Sequence, residues 1–341
     1  MTFGDEAVLR IGTRRSQLAM WQANTVAAQL RQHFPALRVV LVPVATTGDR
    51  DKTTALSNFA RPGIFTREIE QGLIDRHFDI AVHSYKDVAT QYPEALDIGA
   101  VLERETPNDA FLSRHKTPLH ALKPGSVVGT SSLRRRAMLL HARPDLRIVP
   151  LRGNVPTRLR AVGISPAEST AESLGAITES TESPGATAAP LLDATILALA
   201  GLRRLGYAEH AAETLKAPAF VPAPAQGAIA VQIRRDDETT RQKIQPLNHP
   251  ATRAATDAER LFMRLMEGGC QLPLGAHAHI TPSGDMRMTA AVLTLDGAQR
   301  IDGTCEAATP DELAHALFAQ MQRAGADAVL REVRRHLEST P

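Results

Sequence analysis

Between Ser131 and Arg160 the sequence carries eight arginines, at positions 134, 135, 136, 143, 147, 152, 158 and 160, against a single acid, Asp145. The cluster lies in a chain of 341 residues whose Lys+Arg total of 39 nearly matches its Asp+Glu total of 37. Three segments share a pattern: Thr13-Arg14-Arg15-Ser16, Thr130-Ser131-Ser132-Leu133-Arg134-Arg135-Arg136, and Arg152-Gly153-Asn154-Val155-Pro156-Thr157-Arg158. Each offers a hydroxyl or amide side chain suited to cap a helix, beside or ahead of cations. The helix dipole makes its N-terminus positive, so an arginine in the first turn is unfavourable by about 0.3–1 kcal/mol unless an anion sits there. Free N–H groups of the same turn also receive anions. Three such junctions therefore imply a ligand with several carboxylates or phosphates, which planar guanidinium forks suit. A lone arginine is usually a solvated surface residue, but a clustered set at strand-to-helix junctions is not.

Nucleic acid is the rival polyanion. The formal net charge is only +2, and the chain has 13 Phe, Trp and Tyr residues, none interleaved with these arginines, which argues against a stacking platform. A small polyanion in a cleft fits better, because open α/β sheets bind ligands beyond strand C-termini.

The run Asp79-Ile80-Ala81-Val82-His83-Ser84-Tyr85-Lys86-Asp87 passes from an apolar strand into a polar loop, placing Lys86 and Asp87 at the same kind of strand end. A carboxylate among cations is held ionised. From spacing alone, Asp87 is either catalytic or half of a structural ion pair. His83 reads as a satisfied strand histidine rather than a base. Glu267-Gly268-Gly269-Cys270-Gln271-Leu272-Pro273 is a tight loop with a cysteine at its tip, a nucleophile or an attachment point. Cys305 alternates with Gly303 and Ile301 on a strand and reads as packing.

These residues must be positioned by alternating elements. Strand-like runs at Val8 to Ile11, Arg38 to Val44 and Asp79 to His83 alternate with helical periods at Ser16 to Gln32 and Gly63 to Arg76, which reads as an α/β lobe. A second α/β unit begins at Ser126 to Gly129, with a helix at Leu133 to His141, a strand near Leu146 to Pro150, a helix opening at Pro156 and a strand at Ala194 to Leu197. After Pro250 come a helix, three alternating runs and two further helices, a small α+β domain. Residues 161–190 contain four glutamates, no Lys or Arg and no aromatic, and read as a mobile insertion without chemistry. Two cysteines cannot form a disulfide framework and lack structural-zinc spacing, so no metal is expected. No leader-like or membrane-length apolar run occurs, and the expected compartment is the cytoplasm.

Taken together, Arg14 to Gln22 (RRSQLAMWQ), His83 to Val88 (HSYKDV), Gly129 to Arg135 (GTSSLRR), Leu151 to Val155 (LRGNV), Gln226-Gly227-Ala228 and Glu267 to Pro273 (EGGCQLP) resemble the porphobilinogen deaminase (hydroxymethylbilane synthase) family, in order from about residue 8 into the last domain. The resemblance implies two type II periplasmic-binding-protein-like α/β lobes, residues 1–104 with 222–246 and residues 105–221, and a C-terminal α+β domain, 247–341, with a three-stranded antiparallel sheet and helices. It implies a transferase of tetrapyrrole (porphyrin, heme) biosynthesis that condenses four porphobilinogens, with loss of ammonia, on a dipyrromethane cofactor held by a thioether to Cys270, and then releases hydroxymethylbilane by hydrolysis. By the family pattern Asp87 is catalytic. Arg14, Ser16, Ser84, Lys86, Thr130, Ser131, Ser132, Arg134, Arg135, Arg152, Arg158, Gln226 and Gly227 would bind cofactor and substrate. A monomer with no nucleic-acid or membrane partner is implied. Each pyrrole bears an acetate and a propionate, so the arginine excess is substrate complementarity.

The chain departs from the family pattern at Pro62, where a loop lysine is usual and Arg61 is the neighbouring cation. Ala89 stands in place of a proline, Ala225 in place of a glycine before Gln226, and the insertion adds roughly 25 residues. The reading from another class is a two-lobe module that binds a polyanion without turnover. A further expectation is that Arg134→Leu, Arg135→Leu and Arg152→Leu leave the cofactor-free fold intact, since unliganded cations repel one another.

Overall fold

The structure, a computed structural model, describes residues 8–46, 66–165, 192–266 and 272–339. The insertion, the segment around Arg61 and Pro62, and the segment that carries Cys270 lie outside the described residues. The first strand, β1 (Val8–Arg14), buries Leu9 and Ile11 and ends where Ser16 caps α1 (Gln17–His33). The chain continues through β2 (Arg38–Val44), α2 (Arg67–Ile74), β3 (Ile80–Ser84) and β4 (Leu96–Val101). It then crosses to a second sheet built by β5 (Asp109–Ser113), β6 (Val127–Gly129), α3 (Leu133–Ala142), β7 (Arg147–Val149), α4 (Val155–Ala161), β8 (Ala194–Ala198), α5 (Leu199–Arg204) and β9 (Glu213–Leu215).

Returning, it adds β10 (Ile229–Arg234) and α6 (Glu238–Ile244) to the first lobe. The last domain comprises α7 (Pro250–Leu265), β11 (Leu274–Ile280), β12 (Met286–Leu293), β13 (Arg300–Ala307), α8 (Pro310–Arg323) and α9 (Ala326–Ser339).

The two large sheets mirror each other. Their orders are β2-β1-β3-β10-β4 and β7-β6-β8-β5-β9. In each, four strands share one direction and the fifth, β10 or β5, runs antiparallel because it is the strand on which the chain arrives from the other lobe. The parallel strands aim their C-terminal ends, and the helix N-termini that follow them, at the cleft side. This is the two-lobe α/β architecture of type II periplasmic binding proteins, and the sequence periodicity marks β1 to β3, β6 to β8 and the helices α1 to α4. The crossing strands carry no such periodic mark, because β10 (Ile-Ala-Val-Gln-Ile-Arg) is buried on both faces. In the last domain β11-β12-β13 form an antiparallel sheet whose inner face packs Met288 and Ala290 on Phe262, Leu317 and Leu330 of the three helices.

Candidate active site

Three helix N-termini meet the cleft as the capping residues predict. The Ser16 hydroxyl accepts from the Ala19 N–H at 3.4 Å, Ser132 from Arg135 N–H at 3.4 Å, and Asn154 from Thr157 N–H at 2.9 Å. Thr130 and Ser131 hold the turn before α3: the Thr130 hydroxyl accepts from Ser132 N–H at 3.2 Å and the Ser131 hydroxyl donates to the Leu151 carbonyl at 3.0 Å. Across the cleft, Ser84 exchanges hydrogen bonds with the Gln22 carboxamide at 2.9 and 3.2 Å. Gln22 is buried and was not singled out as a site residue, although it lies in the Arg14 to Gln22 motif; its position one and a half turns beyond Ser16 gave no chemical signal.

Lys86 and Asp87 occupy a 3-10 turn, Tyr85–Asp87, that directly follows β3. Tyr85 anchors it in the core, and the Arg260 guanidinium stacks 4.4 Å from the Tyr85 ring and donates to the carbonyls of Val88 and Ala89. Lys86 is half-buried and donates to Gln226 Oε1 at 3.2 Å, while the Asp87 carboxylate is exposed. Burial first, then Arg135 and Arg134, push the Lys86 ammonium down to about 8, against the attraction of Asp87 and Asp109. His83 is buried, pairs with Gln232 at 3.2 Å and is pushed by burial down to about 4, as expected for a satisfied strand histidine.

The arginines of α3 face inward. Arg134 and Arg135 are 4% and 5% exposed, and both pair at 2.8 Å with Asp109, which has no exposed surface. Burial pushes the Asp109 carboxyl up, but the two guanidinium groups outweigh it and hold it well below the usual carboxylate range. The anion that the α3 N-terminus calls for is thus supplied in part by the protein itself. Asp109 gave no signal in sequence, since 26 residues separate it from Arg135. This burial revises the expectation that Arg134→Leu and Arg135→Leu spare the fold.

Arg158 is half-buried, donates to the Gly153 carbonyl at 2.8 Å, and is pushed down to about 10 by burial and by Arg135, with Asp87 opposing. Arg14 ends β1 beside His83, and Arg152 lies half-buried in the turn before α4. Gln226 and Gly227 sit in the return crossing between lobes. Gly227 has φ +93°, and a Cβ there would lie 2.4 Å from the Glu105 carbonyl oxygen, so glycine is what lets the two crossing segments touch. Ala225, where a glycine is common, itself has φ +60°, a left-handed backbone tied down by its N–H donating to Glu259 Oε2 at 2.6 Å. Arg204, unmarked in the sequence reading, also borders this crossing; it donates to the Gly227 carbonyl at 2.6 Å and lies 5.6 Å from the Trp21 ring centroid. Cys305 is partly buried and donates to Gln320, which matches a packing role.

Four cations (Lys86, Arg134, Arg135, Arg158) therefore gather around two carboxylates, Asp87 and Asp109, one exposed and one buried. Such a centre attracts an acidic ligand and offers Asp87 as the accessible base or counter-charge.

Residues 9–242 match the family model for the porphobilinogen deaminase dipyrromethane cofactor binding domain, and residues 254–323 match that for the porphobilinogen deaminase C-terminal domain. The porphobilinogen deaminase of Geotalea daltonii is 41% identical over 327 residues, covering 95% of this chain and 94% of its own. That of Pelobacter propionicus is 40% identical over 329 residues, covering 95% and 97%. Among solved structures, immunogenic lipoprotein A from Vibrio vulnificus aligns over 70% of this chain and 93% of its own with 12% identity and a TM-score of 0.38. With two domain models in sequence order and relatives at this identity along nearly its whole length, the chain belongs to the porphobilinogen deaminase family.

Proposed function

We propose that this chain is a hydroxymethylbilane synthase that joins four porphobilinogens head to tail, releasing ammonia at each addition, and that Asp87 is its catalytic residue. The observation that carries the assignment of the site is the excess of partly buried cations around one exposed carboxylate. The lobes are residues 1–104 with 222–246 and residues 105–221, and residues 247–341 carry the cofactor cysteine. The reading includes a monomer in the cytoplasm without nucleic-acid or membrane partners; among the described residues no helix is long and apolar enough to cross a membrane.

The donor set fits a dipyrromethane. Burial first, and then neighbouring Arg135, depress Lys86 and Arg158, and carboxylates of a bound polyacid would offset both. Cys270 would hold the cofactor, which would supply a nucleophilic pyrrole carbon for the first addition. Arg14, Arg152 and Arg158, with the helix N-termini capped by Ser16, Ser132 and Asn154, receive pyrrole carboxylates. Arg134 and Arg135 act one layer deeper, presenting positive charge while Asp109 holds their side chains. Asp87, exposed beside them, accepts the pyrrole N–H and opposes the positive charge that develops on the ring as ammonia leaves. The same carboxylate is placed to take the proton that the new carbon–carbon bond displaces.

Intact-mass measurement of the purified protein tests the reading. The expected result is an adduct of two linked pyrroles, lost in Cys270→Ser, kept in Cys305→Ser, and stained by a pyrrole-specific colour reagent. A fully active protein of unmodified mass would overturn it.

A further inference from the structure

The Gln226 carboxamide is fully buried and fully committed. Its Nε2 donates to the Pro107 carbonyl at 2.7 Å and to Asp109 Oδ1 at 2.9 Å. Its Oε1 accepts from Lys86 Nζ at 3.2 Å and from an Arg135 N–H at 3.5 Å. A carboxamide has two N–H donors and two acceptor lone pairs, and here each has a protein partner, leaving none for a ligand. The orientation follows from the partners, since the flipped amide would aim donors at two cations and its oxygen at a carboxylate and a carbonyl. Those partners come from three places: the turn after β3 in the first lobe, the outgoing crossing and β5, and helix α3 of the second lobe.

We propose that Gln226 is a positioning residue rather than a ligand contact: it holds the Lys86 ammonium of one lobe against the Arg135–Asp109 pair of the other, and so places the turn that carries Asp87. The inference rests on the catalytic reading of Asp87 given above. Gln226 acts on Lys86 by accepting a hydrogen bond from its charged form. Arg134 and Arg135 on α3 disfavour that charge, and Asp109 on β5 and Asp87 on the same turn favour it. Gln226→Met removes the acceptor, so less of Lys86 stays charged at a given pH. In Gln226→Glu the outer oxygen faces Asp109 Oδ1 and the Pro107 carbonyl, so it carries a proton there, and the inner oxygen keeps the acceptor for Lys86.

The test is the pH dependence of kcat for cofactor-loaded wild type and both variants, with porphobilinogen as substrate. Gln226→Met should lower kcat by about 10- to 100-fold, the scale of a small misplacement of a reacting group, with KM nearly unchanged. The alkaline limb should move to lower pH in Gln226→Met and stay near that of the wild type in Gln226→Glu. A raised KM with an unmoved limb would show a ligand contact instead. Lowered thermal stability with a wild-type limb and normal kcat per folded molecule would show a merely structural role. Should neither variant retain cofactor, the side-chain amide resonances of Gln226 in the wild type decide the matter. They should shift with an inflection at the alkaline limb, and the shift should vanish in Lys86→Met. Amide resonances that ignore pH in that range would overturn the proposal. The resonance experiment needs no turnover, so a wild type that leaves porphobilinogen unconsumed refutes the functional reading separately.

Discussion

The proposed function makes Asp87 the residue on which the chemistry turns, and its exposure makes it testable without disturbing the fold. Asp87→Asn is nearly isosteric, so stability should stay within about 0.5 kcal/mol of wild type, as for most surface changes. Turnover should fall by about 100-fold or more, the scale of a lost electrostatic or proton-transfer group. A drop in melting temperature with normal activity per folded molecule would make Asp87 a structural ion-pair partner. Arg135 behaves differently. Both of its Asp109 contacts are buried, so Arg135→Leu removes half of the compensation of a carboxylate with no exposed surface. Breaking a buried pair costs about 3–5 kcal/mol, and the lower end applies because Arg134 remains. Denaturant unfolding of the cofactor-free variant should show that loss; unchanged stability would return Arg135 to a pure ligand-binding role.

Among the elements, α7 does the most to join the parts. Its Glu259 has no exposed surface and receives four hydrogen bonds. Arg104 reaches it from the outgoing crossing with two N–H groups at 2.6 and 3.1 Å, the Ala225 N–H from the return crossing at 2.6 Å, and the Ala278 N–H from β11 at 2.7 Å. One carboxylate therefore binds both crossings to the last domain. Glu259→Gln keeps the shape but loses the charge, and its NH2 group meets N–H donors whichever way it turns. The expected loss is about 3–5 kcal/mol in denaturant unfolding of the cofactor-free protein. A variant as stable as wild type would show that the crossings are held by their backbone contacts alone. The helix caps were legible in advance, because Ser16, Ser132 and Asn154 satisfy N–H groups of their own first turns, a purely local transaction.

For the whole molecule, the insertion offers a clean experiment. Helix α4 ends at Ala161, and the Leu192 N–H donates to the Ala161 carbonyl at 2.9 Å, so the chain on either side of residues 166–191 is already brought together. Deleting 166–190 should therefore leave folding and kcat close to wild type, since each doubling of loop length costs only about 0.6 kcal/mol. The removed glutamates lie in sequence beside a positively charged lobe, so at low salt the apparent KM should fall or stay level, and rise in no condition. An insoluble or inactive product would make the insertion part of the second lobe.

The sequence by itself determined β1 to β3 and β6 to β8 with the helices α1 to α4 between and after them, the caps at the cleft, the outline of the last domain and the motifs that reveal the family; β4, β5, β9 and β10 came only with the structure. Periodicity, capping and turn chemistry act within a few residues, so they can be read along the chain. It also marked Lys86 and Asp87 as the polar end of an apolar strand. What only the tertiary structure decided is which charges meet. Asp109 is 26 residues from Arg135 and 117 from Gln226, and no local pattern links them; only the crossing of β5 into the second sheet brings that carboxylate beneath α3. The same crossings decide that Gly227 serves backbone contact and that Glu259 ties three parts together. Ion pairing depends on distance in space and on the water that burial removes, and both are properties of the packed chain.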